Sequence, residues 1–506
     1  MHFLTKLLKK IFNRTTVCVI GILLQLTYLV VIFLSFGTQY TYSYFAFVLL
    51  GVILSLYIYN MDINPSYKMA WMFAILSFPI FGVMFYVFFG NSHSGDRLRK
   101  RMTQYNDEAR LLLPQNNELM SALHRDNTAA EKQAKYLYNY GGYPVYANTK
   151  TTYFPIGEAK FAAMIEELEK AQRFIFLEYF IVAEGKMWGT ILNILERKVK
   201  EGVDVRMIYD DIGCLFTLPY KYNEILEEKG IKCRVFNQFR PIWSAKMNNR
   251  DHRKIFVVDG YIGFTGGINL ADEYINEKEK HGHWKDTAVL LRGQGVQGLT
   301  EMFLELWQFT CQEKLHLCDF LPNESFLAPG FVQPYGDSPL DSCNLAENVY
   351  MQILNHARDY VYITTPYLIL DNEMLSALCL AAQSGVDVRI ITPHVPDKWY
   401  VHMVTRSYYQ QLLSAGVRIF EYTPGFIHAK MFVSDNTTAV VGTTNVDFRS
   451  FYLHFECGVA FYLSPMVAQV RDDILKTQNI CEEITLQKVR AVRAPIRVLR
   501  SLLRAF

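Results

Sequence analysis

One string limits the possible folds of this chain more than any other, because it occurs twice. His252, Lys254 and Asp259 in HRKIFVVD match His428, Lys430 and Asp435 in HAKMFVSD. In both copies a Gly follows seven residues after the Asp (Gly266, Gly442) and an Asn ten residues after it (Asn269, Asn445). A second string repeats in the same order, Gly202-Val-Asp-Val-Arg206 and Gly385-Val-Asp-Val-Arg389. Each follows a helical pattern (Ile191 to Lys200; Glu373 to Gln383) and leads into a strand-like run, Met207 to Tyr209 or Ile390 to Thr392. Apolar runs, Phe174 to Phe180 and Tyr360 to Leu370, precede the helical patterns. Strands alternating with helices predict βαβ units, hence an α/β fold with mostly parallel sheets. Two such halves are expected to pack as a pseudo-dimer about one interface.

The repeated polar residues carry a specific chemistry. Side chains at i and i+2 of a strand share a face, so His252 projects with Lys254 and His428 with Lys430. Brought together, the copies would present two imidazoles and two ammonium groups, a set suited to a phosphodiester. The lysines would neutralise non-bridging oxygens, most strongly as charge builds in the transition state. One imidazole would attack phosphorus and the other would protonate the leaving oxygen. Fixed cations fill the electrostatic role, so the reading requires no metal and no cofactor. Asn269 and Asn445 can supply amide donors to the same oxygens. A nucleophilic imidazole also needs its far nitrogen held. Each copy offers a carboxylate downstream, Asp286 in HWKD and Glu456 in HFEC, expected to orient the histidines. Asp259 and Asp435 complete the catalytic string, but they lie beyond the paired face and read as turn residues.

The N-terminal ninety residues are of another kind. Thr16 to Phe36 carries no charge, a shorter apolar stretch runs from Ser43 to Tyr59, and a third from Met69 to Phe89 contains Pro79 and Gly82. These lengths predict two or three transmembrane helices. Basic clusters flank them, Lys6, Lys9, Lys10 and Arg14 before and Arg97, Arg99, Lys100 and Arg101 after, which three spans would put on opposite faces. The denser second cluster favours a cytoplasmic catalytic chain. Nine scattered cysteines without a CxxC pair agree with a reducing compartment. At the other end, Arg497, Arg500 and Arg504 fall in one helical arc opposite Ile496, Val498, Leu499, Leu502, Leu503 and Phe506. Such a basic amphipathic tail suits anionic membrane lipids. A net charge of +2 argues against a nucleic-acid partner.

Taken together, the paired HxKxxxxD motifs with following GxxN resemble the phospholipase D superfamily, and within it the bacterial cardiolipin synthases. The resemblance extends to Tyr209-Asp-Asp-Ile-Gly213, Asn249-Arg-Asp251, Trp284-Lys-Asp286, Thr365-Pro-Tyr367 and Asn445-Val-Asp-Phe-Arg-Ser450, and covers about residues 43–485. It implies two phospholipase D-like halves, 141–330 and 331–485; the residues themselves add a membrane region (1–92), whose first stretch, Thr16 to Phe36, precedes the family's usual hairpin, a linker (93–140) and the basic tail (486–506). It also implies transfer of a phosphatidyl group between two phosphatidylglycerols in a bacterial cell membrane, giving cardiolipin and glycerol. By the resemblance His252 is the nucleophile, forming a phosphohistidine, and His428 the general acid and then base; the residues alone leave that order open. The alternative is a membrane-bound hydrolase using water as acceptor. His454 departs from the family pattern, which leads to Asn there, and is expected to face away from the site.

Overall fold

The computed structural model describes residues 27, 30, 31, 34, 41–90, 105, 110–238, 248–311, 313, 315–321, 324, 326–341 and 343–505. The first apolar stretch is thus described at four positions only, and both N-terminal basic clusters lie outside the described residues. The chain divides into two compact units, Met1–Asp96 with Gln238–Asn249 and Ala505–Phe506, and Arg97–Asn237 with Arg250–Arg504.

In the first unit, helices Thr41–Tyr59, Pro65–Ser77 and Pro79–Phe89 enclose Ile58, Ile75, Val83 and Tyr86. Trp71 meets Tyr86 edge-on at 5.1 Å. The third apolar stretch is therefore two helices of 13 and 11 residues. Pro79 has no N–H to continue the ladder, so the helix stops at Ser77 and restarts with Pro79 at its first position. Among the described residues, no helix is long and apolar enough to cross a membrane. Phe45, Leu49, Leu56, Tyr57, Met69 and Val87 are all more than half exposed.

The second unit shows the duplication strand by strand. One sheet runs Thr149–Phe154, Ala288–Gly293, Ile262–Gly266, Lys254–Val258, Phe174–Tyr179, Asp204–Asp210, Lys232–Phe236. The other runs Phe331–Asp337, His454–Tyr462, Thr438–Gly442, Met431–Ser434, Tyr360–Thr364, Asp387–Pro393, Arg418–Tyr422, with Cys481–Ile484 added at the far edge. Position for position the orders match. Each sheet pairs its βαβ strands in parallel and its histidine hairpin antiparallel, so the sheets are mixed. The helices Lys186–Lys200 and Asn372–Gln383 supply the crossovers. The shared glycine of GVDVR ends those helices: Gly202 and Gly385 sit at φ +90° and +95°, where a side chain would be strained. Within the stretch that reads as a linker, helices Asn117–Asp126 and Thr128–Tyr136 form and bury Met120, Leu123, Ala130 and Ala134. Their start signals are explicit, since Asn116 and Asn127 each accept two backbone N–H bonds.

Two short ladders join the halves reciprocally. Arg250–Asp251, just before His252, pairs with His454–Phe455 of the other half. Gly425–Ile427, just before His428, pairs with His283–Lys285. The His252 amide donates to the Phe455 carbonyl at 2.9 Å, and the His428 amide to the Lys285 carbonyl at 2.7 Å.

Candidate active site

These ladders deliver each histidine to the opposite half's carboxylate. His252 Nδ1 lies 3.0 Å from both oxygens of Glu456, and His428 Nδ1 lies 2.6 Å from Asp286 Oδ2. The sequence offers one acid downstream of each histidine; the structure crosses the pairs. The two glycines of the repeated string serve this arrangement. A Cβ on Gly266 would sit 2.4 Å from the carbonyl of Thr287, and one on Gly442 2.5 Å from that of Cys457. Each glycine thus packs on the residue directly after an orienting acid. Gly267 makes room for Asp286 itself, whose Oδ1 would lie 2.0 Å from an added Cβ.

The lysines repeat the same geometry in both halves. Lys254 and Lys430 each donate to the carbonyl of the histidine two residues earlier. Both are buried. Burial lowers their pKa values, to about 8 for Lys254 and about 7 for Lys430, against the pull of Glu456 on the first and Asp286 on the second. Lys430 also feels Lys254 directly, and so does His428. The cross-half pairs and both lysines therefore surround one centre.

Burial and the lysines settle the imidazoles in their neutral form. His428 is lowered to about 4 by burial and then by Lys430, with Asp286 opposing. His252 is lowered well below its usual value by burial, with Glu456 opposing and Lys254 adding to the shift. For the acids the balance is reversed. Burial alone would raise Glu456 and Asp286, but their histidine partners hold both below the ordinary carboxylate range. With Nδ1 directed at a carboxylate, Nε2 of each ring is left as the reactive nitrogen. Aromatic rings wall the pair: Phe180 stands 5.1 Å from His252, and Trp284 and Tyr274 each 5.5 Å from His428.

Other residues of the sequence reading fall elsewhere. Asp259 and Asp435 leave the centre. Both follow the far end of their histidine strands at positive φ (+53° and +51°) and cap backbone amides, of residues 172–174 and 358–360 respectively. Four strand residues separate each from its lysine, five steps or roughly 16 Å of extended chain, so their place is in positioning the strand. Asn269 accepts from the Ile181 amide at 3.0 Å and donates to the Tyr274 hydroxyl at 2.7 Å, which commits its amide group away from a phosphate. Asn445 differs, since its side-chain oxygen is buried without a partner among the described residues.

His454 corrects an expectation, for it faces the site. Its ring lies 5.4 Å from that of His252, and its Nδ1 is 3.5 Å from Glu456 Oε1. Strand alternation accounts for this, because His454 and Glu456 share a face at i and i+2. His252, His454 and Glu456 offer ligand atoms within 4.8 Å of one another. Lys254 and Lys430 act on the same carboxylate, which opposes a further cation there. Thr443 is a residue that sequence reasoning missed; its hydroxyl donates to Glu456 Oε2 and its amide to the Cys457 carbonyl. Only its place beside Asn445, in Gly-Thr-Thr-Asn, hinted at it.

A centre of two histidines and two lysines, divided between duplicated α/β halves, defines an enzyme of the phospholipase D type, which exchanges one ester of a phosphodiester. Residues 164–307 and 350–477 match the family described as "Cardiolipin synthase, PLD-like domain", and residues 46–91 match "Phospholipase_D-nuclease N-terminal". The chain is 36% identical over 417 residues to a cardiolipin synthase of Geobacillus thermodenitrificans, covering 82% of this chain and 83% of that one. It is 34% identical over 424 residues to cardiolipin synthase 2 of Bacillus cereus, with 82% of each covered. An uncharacterized protein of Streptococcus mutans is 46% identical over 432 residues, 85% of this chain and 94% of the other. Among solved structures, phosphatidylserine synthase of Haemophilus influenzae superposes with a TM-score of 0.55 at 15% identity, covering 73% of this chain and 97% of that one, which bears on the fold. The chain belongs to the cardiolipin synthase family of phospholipase D-like proteins.

Proposed function

We propose that this chain transfers a phosphatidyl group from one phosphatidylglycerol to another, giving cardiolipin and glycerol. The observation that carries the mechanism is the crossed pairing of His252 with Glu456 and His428 with Asp286 around two buried lysines. The diester seats its non-bridging oxygens between Lys254 and Lys430, whose charges stabilise the trigonal-bipyramidal transition state. The diester anion raises the proton affinity of His428, which takes up a proton from solvent; Nε2 of neutral His252 then attacks phosphorus as His428 delivers that proton to the departing glycerol oxygen. The phosphorus–oxygen bond breaks, and a phosphohistidine remains. The hydroxyl of a second phosphatidylglycerol then gives its proton to His428 and displaces His252. One phosphodiester replaces another, so the exchange needs no nucleotide.

The same residues would support hydrolysis with water as acceptor. Membership of the cardiolipin synthase family favours the alcohol. We further propose that the N-terminal apolar region inserts in a bacterial cell membrane and that the catalytic halves face the cytoplasm. The exposed apolar side chains of its helices support the first point, and the eight free cysteines among the described residues support the second. Purified full-length chain given phosphatidylglycerol should release free glycerol and form cardiolipin in equal amounts. Phosphatidic acid as the sole product would establish the hydrolase instead.

A further inference from the structure

The helix Ala494–Ala505 leaves most of its apolar face uncovered. Most of its apolar residues are exposed, Val498 and Leu502 to 59% and 56% at the edge of a cleft and Ile496 and Leu499 as well, while Leu503 packs on the core. Its arginines turn toward the helix Trp399–Ala415. The Arg504 guanidinium lies 4.0 Å from the centre of the Tyr408 ring. Arg497, Arg500 and Ser501 line a cleft of about 560 Å³ with Arg406, Ser407 and Gln410.

Charge in that cleft is only partly compensated, by a single carboxylate. Glu421 grips Arg406 with both oxygens, at 2.8 and 2.6 Å, and is shared with His394 at 3.0 Å. Among the described residues, no carboxylate pairs with Arg497 or Arg500. Arg500 Nε is buried with no hydrogen-bond partner there. Burial and the neighbouring Arg406 both act against the charge of Arg500. A buried guanidinium N–H without an acceptor is costly, and an anion would relieve it. Guanidinium groups match phosphate oxygens two at a time, and Gln410 adds a neutral amide donor, whereas the Ser407 and Ser501 hydroxyls already donate to the carbonyls of Val404 and Arg497. Trp399 and Tyr400, 63% and 48% exposed at the start of the facing helix, are residues that settle at the headgroup level of a membrane.

We propose that this cleft binds the phosphate of an anionic phospholipid at the membrane surface, with the acyl chains leaving along the exposed row of Val498, Leu499 and Leu502. The inference deepens the membrane association proposed above. It adds a lipid site outside the histidine centre, selective for anionic over zwitterionic headgroups because its arginines outnumber its acids.

Hydrogen–deuterium exchange over residues 486–505 of the full chain tests this, in nanodiscs of phosphatidylcholine and of phosphatidylglycerol. Phosphatidylglycerol should slow exchange on the order of tenfold relative to phosphatidylcholine. The paired substitution Arg497→Gln and Arg500→Gln should abolish that difference, whereas Arg497→Lys with Arg500→Lys should keep most of it. Arg497→Gln alone, at an exposed position, guards against a folding defect and should reduce the difference partially. Equal exchange in the two lipids, or an undiminished difference in the glutamine variants, would overturn the proposal. So would equal protection from inorganic phosphate in phosphatidylcholine discs, which would mark a free-phosphate site. A chain that fails to enter nanodiscs refutes the membrane reading itself. A chain that enters but shows no headgroup-dependent protection refutes only the cleft.

Discussion

His252 Nδ1 is hydrogen-bonded to Glu456, 204 residues further along the chain, and His428 answers with Asp286, 142 residues back. Each imidazole thus takes its orientation and its electrostatic support from the half that it does not belong to. Glu456→Gln and Asp286→Asn keep a hydrogen-bond acceptor but remove the charge. Each should lower kcat by about 10⁴-fold with little change in KM, by analogy with loss of the orienting acid of a catalytic triad. Activity within a few-fold of wild type in either variant would show that the acid is dispensable.

The order of the two histidines can be read from a trapped intermediate. A phosphodiester with an activated phenolate leaving group needs no proton from His428. With such a substrate, His428→Asn should accumulate close to one covalent phosphate per chain, and mass spectrometry should locate it on His252. His252→Asn should accumulate none. An adduct on residue 428 in wild type would reverse the assignment.

Protonation gives a third check. His428 is held near 4 and Lys430 near 7, so at neutral pH the first is unprotonated and the second partly so. A bound phosphodiester anion raises both values. Binding of a non-reactive phosphonate analogue at pH 7.5 should therefore take up about one proton, visible in calorimetry as a dependence of heat on the buffer's ionisation enthalpy. For the same reason KM should rise as pH climbs through roughly 7–8 and the lysines lose charge.

Stability should fall on the acid side. A folded value near 4 against 6.5 for the free group means that unfolded His428 binds a proton that the native chain refuses. The unfolded state gains from protonation as pH drops from about 6.5 toward 4, by on the order of 3 kcal/mol at full extent. Thermal midpoints should decline over that window, and less steeply in His428→Asn. A midpoint flat from pH 7 to 4.5 would contradict the neutral buried imidazole.

Asp259 and Asp435 should separate stability from catalysis. Each carboxylate accepts three backbone N–H bonds, and charged bonds of that kind contribute about 1.5–3 kcal/mol. Asp259→Ala should lower the unfolding free energy by about 2–4 kcal/mol, while kcat per folded molecule stays within a few-fold. A loss of kcat comparable to that of His252→Ala, in a variant of normal stability, would return Asp259 to the reacting centre.

Much of this was legible in the sequence, for identifiable reasons. The shared GVDVR string marks a helix stop, a positive-φ glycine and a parallel strand, and all three recur in both sheets. Alternation along a strand puts His252 beside Lys254, and the same rule, applied to the strand His454–Tyr462, would have turned His454 toward Glu456. The crossing of the acid pairs was not legible. It depends on two ladders of two and three residues, Arg250–Asp251 and Gly425–Ile427, too short to leave a periodic signal. Nor could spacing show that Asn269 spends its amide on Tyr274, because that contact depends on the short 3-10 turn Asp272–Ile275. The tail revealed its two faces by arc, but which of them meets the protein depends on the partner helix Trp399–Ala415.

The exchange of supporting acids has an evolutionary corollary. If two identical subunits once met in this way, both imidazoles would have had the same neighbours, and neither could specialise without its twin. Two halves in one polypeptide are free of that restriction. Today one ring leans on a glutamate that also touches His454 and Thr443, the other on an aspartate backed by a glycine. Two unlike environments let attack and proton transfer be assigned to different rings.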